Sequence, residues 1–186
     1  MIRPKRPRVV PHPTDPTLAL VPLTQGYFAV ISAVDAVAVG QFHWSVRAVK
    51  DRTPYASRAV RTDGTIRTTT QSLHRFIGDQ MGLALGGHVD HENGNGLDCR
   101  RSNLRDATHG QNAHNSRRSK INTTGVKGVS RHRTRPHSPE RYVARVMVDR
   151  KSIYLGTFDT IAEAGLAVHA ARPILHGEFA NHGESA

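Results

Sequence analysis

Between Val89 and Asn115 the chain reads VDHENGNGLDCRRSNLRDATHGQNAHN, and no other stretch limits its fold as much. Asn93-Gly94-Asn95-Gly96 demands a chain reversal, because asparagine and glycine tolerate positive φ. Before the reversal, His88-Val89-Asp90-His91 reads as a strand; after it, Leu104–Ala107 reads as a short return strand. Thr108 offers an N-cap, and Gln111 completes a capping box, so a helix is expected to run to about Arg117. Gly86-Gly87 opens this strand–loop–strand–helix unit, residues 86–118. Asn112 falls near the helix start, where it can face back to the strand carrying Asp90.

Chemistry sits on both sides of the reversal. Asp90 and His91 adjoin on a strand, so their side chains diverge. Asn103 and Asn112 follow them. Phosphodiester hydrolysis needs an activated water, an in-line geometry and charge neutralisation at the leaving oxygen. His91 suits the first task, since an unperturbed imidazole has a pKa of ~6.5 and keeps a neutral fraction at physiological pH. Asp90 and Asn112 suit the last. Their hard oxygen donors favour one Mg²⁺, with Mn²⁺ as a substitute, over Zn²⁺. Such an ion acts as a Lewis acid on the leaving oxygen.

At these spacings, with NGNGLD and SNLR around them, the segment resembles the HNH nucleases in the variant where asparagine replaces the last histidine. The resemblance implies that His91 is the general base and that Asp90 and Asn112 are metal ligands. It implies that Asn103 is no ligand but hydrogen-bonds across the loop to orient the segment holding His91. The neighbouring His88, His114 and Asn115 are left open between a direct role, phosphate contact and packing of the helix.

A formal net charge of +11 favours a polyanionic partner. No apolar run approaches the ~18 residues of a membrane span, and no apolar signal-peptide region follows the start. The basic, proline-rich residues 1–17 read as a disordered arm. The single cysteine, Cys99, excludes an internal disulfide and a cysteine-rich zinc site and fits a reducing, cytoplasmic compartment. Set between Asp98 and Arg100 in a polar loop, it is expected to be an inert thiol.

Residues 18–118 read as one nuclease domain whose N-terminal part is β-rich. LALVPL and YFAVISAV form a hairpin turning at Gln25-Gly26. His43–Val46 and Tyr55–Arg58 read as further strands, and Thr62–Thr65 as a turn. Gln71–Met81 is expected to be helical, with Leu73, Phe76 and Ile77 on one face and His74 beside it as a satisfied structural histidine. Ending in LHRFIGDQMG, this region resembles the one that precedes the motif in phage-type HNH endonucleases.

After a short linker at 119–123, residues 124–182 form another unit. Val126–Arg133, Tyr142–Asp149 and Ser152–Phe158 read as strands, with a tight turn at Asp149-Arg150-Lys151. Alternation puts Tyr142, Ala144, Val146 and Val148 on one face and Val143, Arg145 and Met147 on the other. Thr160 and Glu163 cap a helix with Ile161, Ala164, Val168 and Ala171 as its apolar stripe, which Pro173 should end or kink. From Arg117 to Lys151 eleven Lys and Arg stand against Glu140 and Asp149. Such a run is usually a solvated face. Here Lys127, Arg131 and Arg133 share strand parity and Arg145 lies opposite the apolar face, which suits phosphate contact.

The segments KGVSRH, RYVARVMVD, IYLGTFDTIAEAGLAVHAA and GEFAN resemble the ERF/APETALA-type DNA-binding domain, a three-stranded antiparallel sheet backed by one helix. The resemblance implies that the sheet enters the major groove of double-stranded DNA, with Lys127, Arg131, Arg133, Arg141, Arg145, Lys151 and Tyr154 as contacts. Tyr142 and Tyr154 stand where that family has tryptophan, Lys127 and Met147 where it has arginine, so no target sequence carries over.

The expectation is therefore an α+β chain: a ββα-metal nuclease core followed by a sheet-and-helix DNA-binding domain. Its expected activity is metal-dependent cleavage of double-stranded DNA in the manner of homing endonucleases. One core per chain implies one strand cut per binding event unless two chains act together. No obligatory protein partner and no membrane are expected, and the chain would act as a monomer or dimer on DNA. The alternative is a non-catalytic, sequence-specific DNA binder with a decayed nuclease core. An RNA binder ranks last, because no aromatic RNP pattern is present.

Overall fold

Gln25 and Gly26, at φ 60° and 75°, turn the chain so that β2 (Leu18–Pro22) pairs antiparallel with β3 (Phe28–Ser32). This is the hairpin the alternation predicts, with Ala19, Val21, Ala29 and Ile31 buried. A two-residue strand, β1 (Val10–Pro11), pairs with the outer edge of β2, so the expected arm is ordered from Val9 onward. The computed structural model describes residues 9–48, 50, 52–61, 68–83, 87–132 and 138–183. Residues 1–8, the turn at Thr62–Thr65, Gly86 and Arg133 lie outside them.

The architecture is α+β, with several small sheets and four helices among the described residues. The chain divides into two compact units, Met1–Ala107 and Thr108–Ala186.

In the first unit the apolar run after Ser32 leaves the sheet earlier than its sequence suggests. Ala33–Asp35 forms a 3₁₀ turn that leads into a short helix, α1 (Ala36–Val39). There Asp35 is buried and anchored by Arg101, 2.7 Å away. A second sheet comprises β4 (Ser45–Arg47), β5 (Tyr55–Arg61) and β6 (Thr68–Ser72). The polar strand β6 carries no apolar signal, and pairing of Gln71 and Ser72 with Arg58 and Ser57 delays the next helix, α2 (Leu73–Gln80). Leu73 and Ile77 are buried on the inner face of α2. They share one core with Trp44, the first hairpin and Val89.

The strand carrying the acid–histidine pair, β7 (His88–His91), packs on α2 at Gly78, where a Cβ would come 2.6 Å from a Val89 methyl. After the reversal, β8 (Asp98–Cys99) adds in parallel to β3, pairing Val30 with Asp98 and Ile31 with Cys99. The loop is thereby stitched to the first sheet. Cys99 is wholly buried in the core rather than lying in a polar loop. Burial, with the Asp98 carboxylate adding to it, pushes its thiol well above the ordinary range, so it is inert. β9 (Leu104–Ala107) returns antiparallel to β7 and ends the unit.

The second unit opens with α3 (His109–His114). Its N-cap is the capping box expected: Thr108 Oγ1 accepts from Gln111 N, and Gln111 Oε1 accepts from Thr108 N. The helix ends at Asn115 rather than Arg117. Strands β10 (Val129–His132), β11 (Arg141–Val148) and β12 (Lys151–Phe158) form an antiparallel sheet. Asp149 and Arg150, at φ 47° and 65°, make the tight turn between the last two. Gly128 enters the sheet at φ 84°, where a Cβ would lie 2.6 Å from the Arg145 carbonyl oxygen.

Helix α4 (Ile161–His176) starts with the predicted Thr160–Glu163 capping box. Ala164 and Val168 bury against Val129, Ala144 and Val146. Pro173 does not end α4, which runs one turn further. Its missing N–H costs α4 the bond to the His169 carbonyl, and the last turn is tied down instead by Gly177 N–H to Pro173 O and by His176 to the Met147 carbonyl at 2.8 Å. No helix among the described residues is long and apolar enough to cross a membrane.

Candidate functional site

Asp90 and His91 sit on β7 in the first unit, on opposite faces as the strand period requires, and both are buried, at 6% and 5% exposure. The His91 ring lies in a cluster that the linear motif does not announce. Its centroid is 4.8 Å from that of His74 and 5.7 Å from that of Tyr55. Its Nε2 is 3.8 Å from Cys99 Sγ. Burial lowers the His91 pKa to about 4, opposed by the Asp98 carboxylate, so the imidazole is neutral at physiological pH. His74 is lowered further, to about 3, by burial and then by His91 and Arg75. It is structural, as its place on α2 suggests, but it is not satisfied: its buried Nδ1 has no hydrogen-bond partner among the described residues.

Asp90 faces the other way, toward Arg105. The two are directly opposite in the β7–β9 register, and Arg105 Nε and Nη2 both donate to Asp90 Oδ2 at 3.2 Å. The sequence reading passed over Arg105. No local signal pointed to it, because residues 92–103, with β8 among them, separate the two strands and leave their register open in the sequence.

Asn103 ties the reversal together. Its Oδ1 accepts from Asn93 N at 3.0 Å, and its Nδ2 donates to Asn93 Oδ1 at 3.1 Å and to the Asp98 carbonyl at 2.7 Å. Its own carbonyl accepts from Glu92 N at 2.9 Å, one residue beyond His91. Asp98 extends the network, taking Asn93 Nδ2 at 2.8 Å and both prongs of Arg100. This geometry ties the loop together.

Asp90 offers one carboxylate on a fixed strand, the donor type a hard divalent ion takes, and Arg105 already donates to it. Asn112, exposed on α3, belongs to the second unit. Among the described residues no cluster of three or more His, Cys, Asp or Glu is arranged to hold a metal.

In the second unit the basic residues separate into two groups. Lys127 turns its amine inward. Its Nζ donates to the carbonyls of His114, Ser116 and Asn181, at 2.8 Å and 3.0 Å for the first and last. Burial, then the Arg172 guanidinium, lowers its pKa to about 8. Arg131 pairs opposite Tyr142, and so shares the helix-side face with Val129 and Ala144; it binds Glu140 at 2.8 Å. The expectation that Arg131 and Arg145 share a face fails here, because Arg131 has the parity of the buried Val129, while Lys127 precedes the strand in a turn beyond Gly128 at φ 84°. On the open face Arg141 pairs with His132 and Arg145 with Tyr154. Arg145 and Tyr154 are exposed, Tyr154 bonding Thr157 through its hydroxyl, and Arg141 reaches Asp159 at 3.0 Å. Lys151 is exposed at the strand turn.

Asn115 and His114 have packing roles. Buried Asn115 accepts from Asn181 Nδ2 at 3.2 Å, and His114 stacks on His176 at 3.8 Å between ring centroids. Compared with protein-family models, curated proteins and solved structures, the chain matches none.

Proposed function

We propose that this chain is an endonuclease that hydrolyses phosphodiester bonds of double-stranded DNA with a divalent metal ion, and that its second unit holds the duplex. One observation carries the reading: Asp90 and His91 adjoin on one buried strand, facing opposite ways, beside a reversal locked by Asn103. β7 and β9 pair antiparallel and α3 comes after them in the chain, which supports a ββα-metal core. His91 is neutral and accepts the proton of the attacking water. Asp90 holds the cation; Asn112 as a further ligand rests on the motif. A bound Mg²⁺ or Mn²⁺ supplies Lewis-acid stabilisation of the leaving oxygen. The open face of β10–β12, with Arg141, Arg145 and Tyr154, supplies the duplex contacts, and the net charge of +11 supports a polyanionic partner.

A nicking assay on supercoiled plasmid, with and without Mg²⁺ and with break ends sequenced, tests the reading. Wild type should nick only with metal, and Asp90→Ala and His91→Ala should bind DNA without cutting it. Wild-type nicking by His91→Ala would falsify the general-base assignment. A second reading, a DNA-binding protein without catalysis, draws on the enclosure of His91 and the capping of Asp90 by Arg105. Duplex binding with no metal-dependent nicking by the wild type decides for it.

A further inference from the structure

The sheet β4–β6 turns one face to the core of the first unit. Val46 and Ala56 are buried there, and Arg58 lies 3.4 Å from the centroid of the Phe42 ring. The strand period and the register then place Arg47, Tyr55, Ser57, Ala59, Arg61 and Thr70 together on the opposite face. Arg47 stands across from Tyr55 at one end of β5, and Arg61 across from Thr68 at the other. Both arginines are exposed, as are Ala59 and Thr70 between them. Ser45, Ser57 and Ser72 make a row across all three strands. At the Tyr55 end this face meets the reversal. The Tyr55 ring centroid is 5.7 Å from that of His91, and a Cβ on Gly96 would come 2.6 Å from the Tyr55 ring.

The face is chemically one-sided. It carries two guanidiniums and a row of hydroxyls, and no carboxylate among its described residues. In sequence, the stretch from Ser45 to Ser72 has six Lys and Arg against Asp51 and Asp63. A surface that serves solubility alone intersperses both signs. Guanidiniums and hydroxyls are the donors that hold phosphate oxygens, and small side chains between them let a nucleic-acid backbone lie close. Tyr55, beside Arg47, is six residues from Arg61 along β5, about 20 Å at ~3.3 Å per residue. That exceeds the Debye length of ~8–10 Å, so the two cations act on separate phosphates and independently.

We propose that the open face of β4–β6 is a further DNA-binding surface, built into the first unit, on which a sugar–phosphate backbone of the duplex lies with Arg47 and Arg61 on separate phosphates. The backbone then passes Tyr55 and reaches the reversal beside His91. The first unit therefore contributes duplex affinity of its own, in addition to that of the second. The inference rests on the nuclease reading above.

The test is binding of a fluorescent DNA duplex to the full chain, without metal, over a series of salt concentrations. Arg47→Ala combined with Arg61→Ala should weaken binding at least ~10-fold at ~0.1 M salt. The slope of log affinity against log salt should become shallower by ~1.8, that is ~0.9 for each phosphate lost, with each single variant giving half. Val34→Glu combined with Val37→Glu changes the net charge equally, at side chains 71% and 81% exposed and off this sheet, and should keep the wild-type slope. Ala59→Lys adds a cation at the centre of the face and should bind more tightly, with a slope steeper by ~0.9. Wild-type affinity and slope in the double arginine variant overturn the proposal. So does an equal loss in the double valine variant, which would make the effect one of net charge alone. Should the arginine variant fail to fold, as read by Trp44 fluorescence, Ala59→Lys decides: unchanged or weaker binding overturns the proposal. Binding that depends on this face, without metal-dependent nicking, removes the nuclease reading and keeps the surface; no duplex binding by the wild type removes both.

Discussion

Acidification from pH 8 to pH 5 should loosen the first unit. His74 and His91 both have folded pKa values below that of a free imidazole, about 3 and about 4, chiefly because burial disfavours the charged ring. A depressed folded value means that the unfolded chain binds the protons first. The stability is complete above pH ~6.5, falls as the pH drops, and stops falling only near the folded values. At pH 5 an exposed imidazole is almost fully protonated and the two buried rings are not. At 1.36 kcal/mol per pH unit the loss is roughly 2 kcal/mol for each histidine, or roughly 4 kcal/mol together. Trp44 is the chain's only tryptophan and lies in the first unit's core against Phe42 and Phe76. Its fluorescence during urea unfolding, with chelator present, therefore reports this unit alone. His74→Phe keeps a ring against Tyr55 and His91 and removes one titrating group, so it should lose about half of the pH effect. It should also gain about 1–3 kcal/mol at pH 8 by removing the unpartnered Nδ1. A wild-type midpoint that is flat from pH 8 to 5, or a His74→Phe protein with the full drop, refutes the reasoning.

Asn103→Ala removes three hydrogen bonds across the reversal and should lower nicking by ~10–100-fold at unchanged DNA affinity, read by plasmid assay and gel shift. Asn112→Ala should raise the Mn²⁺ concentration needed for half-maximal nicking; an unchanged requirement removes it from the metal ligands. In the second unit Lys127→Met should lower the thermal midpoint seen by circular dichroism, because three carbonyls lose their donor. Arg145→Ala should leave that midpoint in place and weaken duplex binding, with the slope of log affinity against log salt shallower by ~0.9 if one phosphate contact is lost. Ala144→Arg forces a charge between sheet and helix at a fully buried position and should unfold the unit; a folded, tightly binding variant would reverse the two faces.

Patterns of period two and capping chemistry were legible at once. The first hairpin, the alternation of Tyr142, Ala144, Val146 and Val148, and both capping boxes act between residues a few positions apart, so the sequence displays them whole. The parallel pairing of Asp98-Cys99 with Val30-Ile31 was not legible, because it joins segments nearly 70 residues apart and only two residues of each take part. That pairing moves Cys99 from a polar loop into the core. The polar strand β6 was hidden for a different reason: Thr68–Ser72 has little apolar surface to alternate and is held by its partner's backbone.

The faces of the second sheet show where periodicity stops being sufficient. Lys127 and Arg131 were grouped with the outward residues because they share parity with each other. Parity fixes who shares a face but not which way the face points. For Arg131 that is decided by Val129, which buries against α4, whereas Lys127 lies before the strand, beyond the positive-φ Gly128, where alternation does not reach. The long side chains then escape in opposite ways: Lys127 runs to the carbonyls of a neighbouring turn, and Arg131 runs out past Tyr142 to Glu140. The same rule, applied to β7, separates the candidate chemistry. Val89 faces the core, so His91 faces it too, and Asp90 must face away, toward the residue opposite it. A basic count along the chain does not distinguish a phosphate contact from an internal tether. The identity of the nearest buried β-branched residue of the same parity does.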